Sequence, residues 1–250
     1  MDVKRKNKML YGMLSVILSQ GISVIVSIIM GFIIPKYVDE YQYAYWQTFT
    51  LYLGYVPLLS LGMLDGFILR YSKYDYNELD RLKTRTFFRI LMLWMTICCG
   101  GVCVISAIFA IGEYKYVFIL VGIAGVVRYF WSYNYILFQT TDRMNLYARY
   151  TIVQRSVYCV VIIILIVCRV NYFVWFCMAE VIGEFVAAIL SVPHNRGLFL
   201  GKGVPFKEYR QEIKLNIFGG FFLLVANLAS NFLVGGARMV IQWRWDALMF

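Results

Sequence analysis

Residues 117–139 read VFILVGIAGVVRYFWSYNYILFQ, and Arg128 stands in the middle of the run, ten or more residues from any other charge. At roughly 1.5 Å of rise per residue the run makes about 34 Å of helix, enough to cross the hydrocarbon core of a bilayer with Arg128 near the midplane. A charge at that depth costs about 3 kcal/mol or more unless it meets a partner or water. Helical spacing puts Arg128, Ser132, Tyr135 and Gln139 on one face. The stripe is polar from mid-membrane to one end only, which predicts the wall of a cavity open on one side.

The rest of the chain supports a membrane reading. Apolar residues make up 61% of the sequence and the mean hydropathy is +0.68. Apolar runs at 10–34, 43–66, 88–111, 117–139, 151–168, 173–192 and 217–237 predict an all-α integral membrane protein with about seven transmembrane helices. The net charge of +10 is a matter of placement. Of 24 Lys and Arg, 18 fall in segments on one side, 5 on the other, and Arg128 alone lies in the core. Such a bias places the amino terminus and the basic segments in the cytoplasm and removes the reason to invoke nucleic acid. Basic residues 4–8 precede an apolar run too long for a signal peptide, so 10–34 reads as a retained first span of a multi-pass plasma-membrane protein. The six cysteines sit in or at the ends of apolar runs without metal-ligand spacing and read as small hydrophobes.

Polar and small residues inside the runs predict how the helices meet. Ser15, Ser19, Ser23, Ser27 and Gly31 recur every four residues in the first run, a face that lets another helix approach closely. The second run holds Pro57 as a kink and closes on Gly62 and Gly66. Glu180 and Glu184 in the sixth run share a face beside Ala179, Gly183 and Ala187. Glu184 lies at the depth of Arg128, so two readings stand for each: Arg128 faces cargo or forms a buried pair, and the two glutamates couple an ion or pack against a neighbour. Arg70 reads equally as an interfacial anchor or a headgroup contact, Asp65 as its partner or a helix cap, and Arg238 as a solvated helix end. Six runs return the chain to its starting side. Residues 1–192 therefore read as a six-helix lobe, 193–216 as a cytoplasmic linker with an amphipathic piece at 205–215, and 217–250 as the first helix of a second, parallel repeat that is otherwise cut short.

Catalytic signatures are missing. His194, the one histidine, falls in the polar 193–216 segment and reads as a solvated loop residue, and there is no HExxH, GxSxG, P-loop or dinucleotide-binding turn. The sequence predicts neither an enzyme nor a cofactor.

Three stretches carry a resemblance to a known family. IIPKYVDEYQYAYWQTFTLYLGY (33–55), LGMLDGFILRYSKY (61–74) and NIFGGFFLLVANLASNFLVGGARMVI (216–241) resemble the polysaccharide and oligosaccharide-lipid flippases of bacterial envelope synthesis, in the superfamily of the multidrug and toxin extruders. The second stretch holds Gly62, Asp65, Gly66, Arg70 and Tyr71 of the motif. The third holds Asn227, Ser230 and Arg238. The resemblance implies alternating access between two lobes that carries undecaprenyl-diphosphate-linked oligosaccharide outward for capsule, O-antigen or exopolysaccharide synthesis, beside polysaccharide polymerase and glycosyltransferases. It implies Arg128, Ser132, Tyr135, Gln139 and Arg70 as substrate contacts, with a small-molecule antiporter on the same fold as the alternative. Guanidinium groups suit a diphosphate cargo because they bind phosphate in bidentate geometry.

Overall fold

The computed structural model describes residues 3–244, with side chains described from Tyr11 onward and, beyond Leu233, only at 235, 236 and 240. Eight α-helices follow one another: α1 Val3–Tyr37, α2 Glu40–Tyr55, α3 Met63–Tyr71, α4 Arg81–Phe109, α5 Tyr114–Thr140, α6 Met144–Val167, α7 Phe173–Phe199 and α8 Phe206–Arg244. The structure is 86% helical, with no strand among the described residues. Six helices are long and apolar enough to cross a membrane, and α2 with α3 reaches the same length and apolar composition only as a pair, bent by 61° at a short 3-10 turn, Val56–Ser60. The molecule is an all-α, membrane-embedded bundle.

Burial orders the bundle. Half of the most apolar window is buried in α5 and in α7, against about a quarter or less in α1, α4 and α8. α5 and α7 therefore form the centre, and the outer helices show large apolar side chains such as Ile25, Ile97, Ile108, Phe109, Phe218 and Leu233 to the hydrocarbon. The small-residue stripe of α1 packs as its spacing predicts at Ser19 and Ser23, whereas a Cβ on Gly31 would meet nothing within 4 Å, so the close approach stops short of that end. α1 packs on α6, Ser19 and Ser23 are buried, and each of Ser15, Ser19, Ser23 and Ser27 donates to a carbonyl one turn back in its own helix.

The second span is not one kinked helix over 43–66. α2 stops where Pro57 enters the 3-10 turn, Leu61 and Gly62 adopt left-handed backbone at φ 53° and 75°, and α3 starts afresh at Met63. Proline removes a backbone donor, and two left-handed residues cannot continue a helix. Carbonyls left without helical donors would be costly in hydrocarbon, and side chains meet them. Tyr129 donates its hydroxyl to the Pro57 carbonyl at 3.2 Å, Ser60 to the same oxygen at 2.8 Å, and the Trp94 indole to Leu59 at 2.7 Å.

The turn Gly62–Met63 and helix α3 lie directly against α8. A Cβ on Gly66 would stand 1.8 Å from the Asn216 carbonyl oxygen, and one on Gly220 2.0 Å from that of Gly62, so only glycine permits this crossing. The segment 193–216, read from its polarity as a linker, is mostly helical. α7 runs through Pro193 to Phe199, residues 200–205 alone connect, and α8 continues unbroken past Asn216. Its polar character comes from where the helices end. His194 is accordingly a residue of α7, with Nδ1 3.1 Å from the Tyr150 hydroxyl, rather than a loop residue. Arg85 and Arg89 donate to the carbonyls of Gly197, Gly201 and Lys202 at this connection, where cations complement the carbonyl end of α7.

Candidate functional site

At mid-depth the long helices converge on four charges. Arg128, on α5, donates from Nε to Glu184 Oε1 at 2.7 Å, and its Nη2 lies 3.2 Å from Glu180 Oε1, both acceptors on α7. Its Nη1 reaches the Leu53 carbonyl at 3.5 Å, near the carbonyl end of α2, where a cation is electrostatically favoured. Of the pair, Glu184 is the dry member, its side chain 3% exposed against 24% for Arg128. Two carboxylates and a helix end thus compensate a guanidinium that would otherwise be costly at this depth.

The fourth charge is Arg155, on α6, with Nη1 3.5 Å from Glu180 Oε1. Gly183 brings it there: a Cβ at that position would stand 2.9 Å from the Gln154 carbonyl, so α6 and α7 touch backbone to backbone one residue away. Arg155 Nε is buried with no hydrogen-bond partner among the described residues. The two guanidiniums share Glu180, and Arg155 is the less fully engaged.

Three of these groups, Arg128, Arg155 and Glu180, border a cavity of about 470 Å³. Arg128, Arg155, Tyr158 and Glu180 form one side, and Trp46, Gln47 and Thr50 of α2 with Ser27 of α1 form the other. Of the stripe read from the sequence, Arg128 alone lines it. Tyr135 instead accepts from Gln20 Nε2 at 2.8 Å and packs on Tyr147 at a ring separation of 4.0 Å, Ser132 is half-buried, and Gln139 is exposed near the end of α5. Gln20 of α1 and Tyr147 of α6 thus engage the middle of the stripe, which forms no continuous channel wall.

The motif residues from Gly62 to Tyr71 fall at the basic end of the bundle. Arg70 pairs with Glu212 of α8 in a short contact, donates to Asn216 Oδ1 at 2.8 Å, and shares Glu212 with Lys83, whose Nζ is 3.1 Å away. Asp65 lies in the first turn of α3, where a carboxylate complements the exposed amide end of a helix, and makes no ion pair with Arg70. Tyr71 stacks on Phe67 with centroids 4.4 Å apart. Arg70, Lys73, Glu78, Asp80, Lys83 and Glu212 border a second cavity of about 490 Å³ in which the two signs of charge balance. Asn227 and Ser230 are exposed on α8, and the side chain of Arg238 lies outside the described residues.

Compared with known proteins, the chain matches no family model, no curated protein and no solved structure. The geometry therefore carries the functional reading alone. Arg155 is the residue that sequence reasoning misses. A span read as starting at 151 makes it an ordinary interfacial cation, but α6 begins at Met144 and places Arg155 near its middle. The tyrosines and charges at 147–155 hide that helix start, and the depth of Glu180 on the next helix is the signal that could have found it.

Proposed function

We propose that the chain is a transport lobe that moves an anionic, lipid-linked oligosaccharide, of the undecaprenyl-diphosphate class, across the bacterial plasma membrane by alternating access. Its amino terminus and basic end face the cytoplasm on this reading, with α1 to α7 as one lobe, 200–205 joining it to a second, and α8 beginning that second lobe. The observation that carries the proposal is Arg155, a mid-helix guanidinium on a cavity wall that, among the described residues, has no partner for Nε and one carboxylate, which it shares with Arg128. Intramembrane cations mark substrate paths, and a guanidinium with unused donors suits a diphosphate. Substrate contact accordingly falls to Arg155, and Arg128 holds the glutamates in place.

The test is leaflet exchange of a fluorescent polyprenyl-diphosphate sugar in vesicles containing the full chain. Arg155→Gln is expected to lower the rate by about tenfold or more and Arg155→Lys by less, since a charged hydrogen bond contributes roughly 1.5–3 kcal/mol. An unchanged rate in Arg155→Gln overturns the reading. A small-molecule antiporter is the second reading, favoured by Trp46, Phe49 and Tyr158 beside Glu180 on the cavity wall. It predicts efflux of an aromatic cation that Glu180→Gln abolishes, with no exchange of the lipid-linked sugar.

A further inference from the structure

A second feature of the bundle is an apolar groove of about 330 Å³ between α3, α4 and α8, far in sequence from the charge quartet. Leu93, Trp94 and Ile97 line it from α4, and Phe206, Ile213 and Ile217 from α8. Leu93 and Ile97 are 64% and 61% exposed, so the groove opens sideways to the hydrocarbon rather than into the bundle. The helix of each wall carries an arginine near the α7–α8 connection. Arg89 precedes Leu93 by one helical turn on α4, and Arg210 stands four residues after Phe206 and three before Ile213 on the lining face of α8. Both arginines are exposed, and neither is in an ion pair among the described residues. Arg89 donates to the Gly201 carbonyl at 2.6 Å, which holds it at the connection between α7 and α8.

The geometry points to a binding site for an anionic glycerophospholipid, with an acyl chain in the groove and the phosphate between Arg89 and Arg210. An apolar slot alone would accept any lipid tail. What would select the headgroup is charge: two exposed arginines outside any ion pair among the described residues, one on the helix of each wall, stand near the α7–α8 connection where the groove begins. This site is independent of the transport reading, because none of its residues borders the central cavity.

Trp94 supplies the readout, since bromine on an acyl chain quenches an indole it touches. The full chain is reconstituted in phosphatidylcholine vesicles doped with brominated phosphatidylglycerol or brominated phosphatidylcholine, and the Trp94 signal is taken as wild type minus Trp94→Phe. Brominated phosphatidylglycerol is expected to half-quench at a mole fraction lower by on the order of fivefold for each arginine engaged. High salt and the Arg89→Gln, Arg210→Gln double variant erase that preference, while Arg89→Lys, Arg210→Lys keeps most of it. Equal quenching by the two lipids in the wild type overturns the site, as does a preference that survives the glutamine variant. Should Trp94→Phe not fold, native mass spectrometry of the detergent-purified wild type reads the same preference as retained phosphatidylglycerol, with equal retention of the two lipids counting against it. Competition closes the test: a polyprenyl phosphate that displaces phosphatidylglycerol more strongly than cardiolipin does would also overturn the assignment.

Discussion

Glu184 accepts from Arg128 at 2.7 Å across the contact of the two most buried helices, α5 and α7, and is 2% exposed as a residue. That pair answers the question posed by a charge isolated in an apolar run. Coulomb attraction between unit charges at this separation is large in a poorly polarisable interior, but so is the cost of removing each from water. The net gain is small and the consequence of breaking it is not. The pair therefore enforces one register of α5 on α7, and the cavity inherits its shape from that register.

Removing one partner should expose the asymmetry. Glu184→Ala is expected to cost about 3 kcal/mol or more, because the Arg128 guanidinium stays behind at mid-depth. Arg128→Lys should cost less, since the charge remains while the separate reach to Glu184, Glu180 and Leu53 is lost. The joint replacement Arg128→Met, Glu184→Leu should recover most of the loss. Thermal unfolding in detergent measures all three, and a double variant less stable than Glu184→Ala would refute pairing as the role of Arg128.

The broken second span makes a separate prediction. Tyr129→Phe deletes only the hydroxyl that donates to the Pro57 carbonyl at the break. Ser60 still donates to that oxygen, so the loss should stay near 1 kcal/mol, the net contribution of one hydrogen bond. Adding Ser60→Ala removes both side-chain donors from that carbonyl and should cost more than either single change. Denaturant unfolding of the two single variants and the double variant gives the cycle directly.

How much of this was readable from the chain depends on the kind of interaction. The all-α membrane class follows from apolar runs alone, because every backbone group in hydrocarbon must be satisfied within its own helix. The Arg128–Glu184 pair is legible too, since helix rise converts sequence position into depth. The break at Val56–Ser60 is only half legible: Pro57 marks a kink, but the left-handed pair Leu61–Gly62 that separates α3 depends on α8 arriving at Gly66. The helical state of 193–216 is hidden because polar residues at helix ends resemble those of a loop. The stripe from Arg128 to Gln139 misleads for a related reason. Helical spacing places four residues on one face but does not say that Gln20 of α1 and Tyr147 of α6 engage Tyr135 while Gln139 lies exposed.

Adjacent glycines on α8 should behave oppositely. A Cβ on Gly220 would meet the Gly62 carbonyl oxygen at 2.0 Å, whereas one on Gly219 meets nothing within 4 Å. Gly219→Ala should be neutral or stabilising by up to about 1 kcal/mol, as the backbone entropy of glycine is removed from a helix. Gly220→Ala should destabilise by roughly 1–3 kcal/mol, because backbone must shift to admit it. Gly66→Ala should match Gly220→Ala. Equal melting temperatures for the 219 and 220 variants would mean that α8 does not cross at Gly62.

Cysteine accessibility tests which end of the bundle faces outward. Cys168 is exposed and ends α6 away from the basic end, while Cys99 and Cys177 are buried and the other three cysteines are part-covered within helices. A thiol must ionise to react with a maleimide, which hydrocarbon disfavours, so a membrane-impermeant maleimide should modify Cys168 alone. If the basic segments lie in the cytoplasm, intact cells should be labelled at full stoichiometry and Cys168→Ser should abolish the signal. Labelling of Cys168 only after permeabilisation would invert the bundle, putting Arg70, Lys83 and Arg89 outside against the charge bias that orients membrane helices.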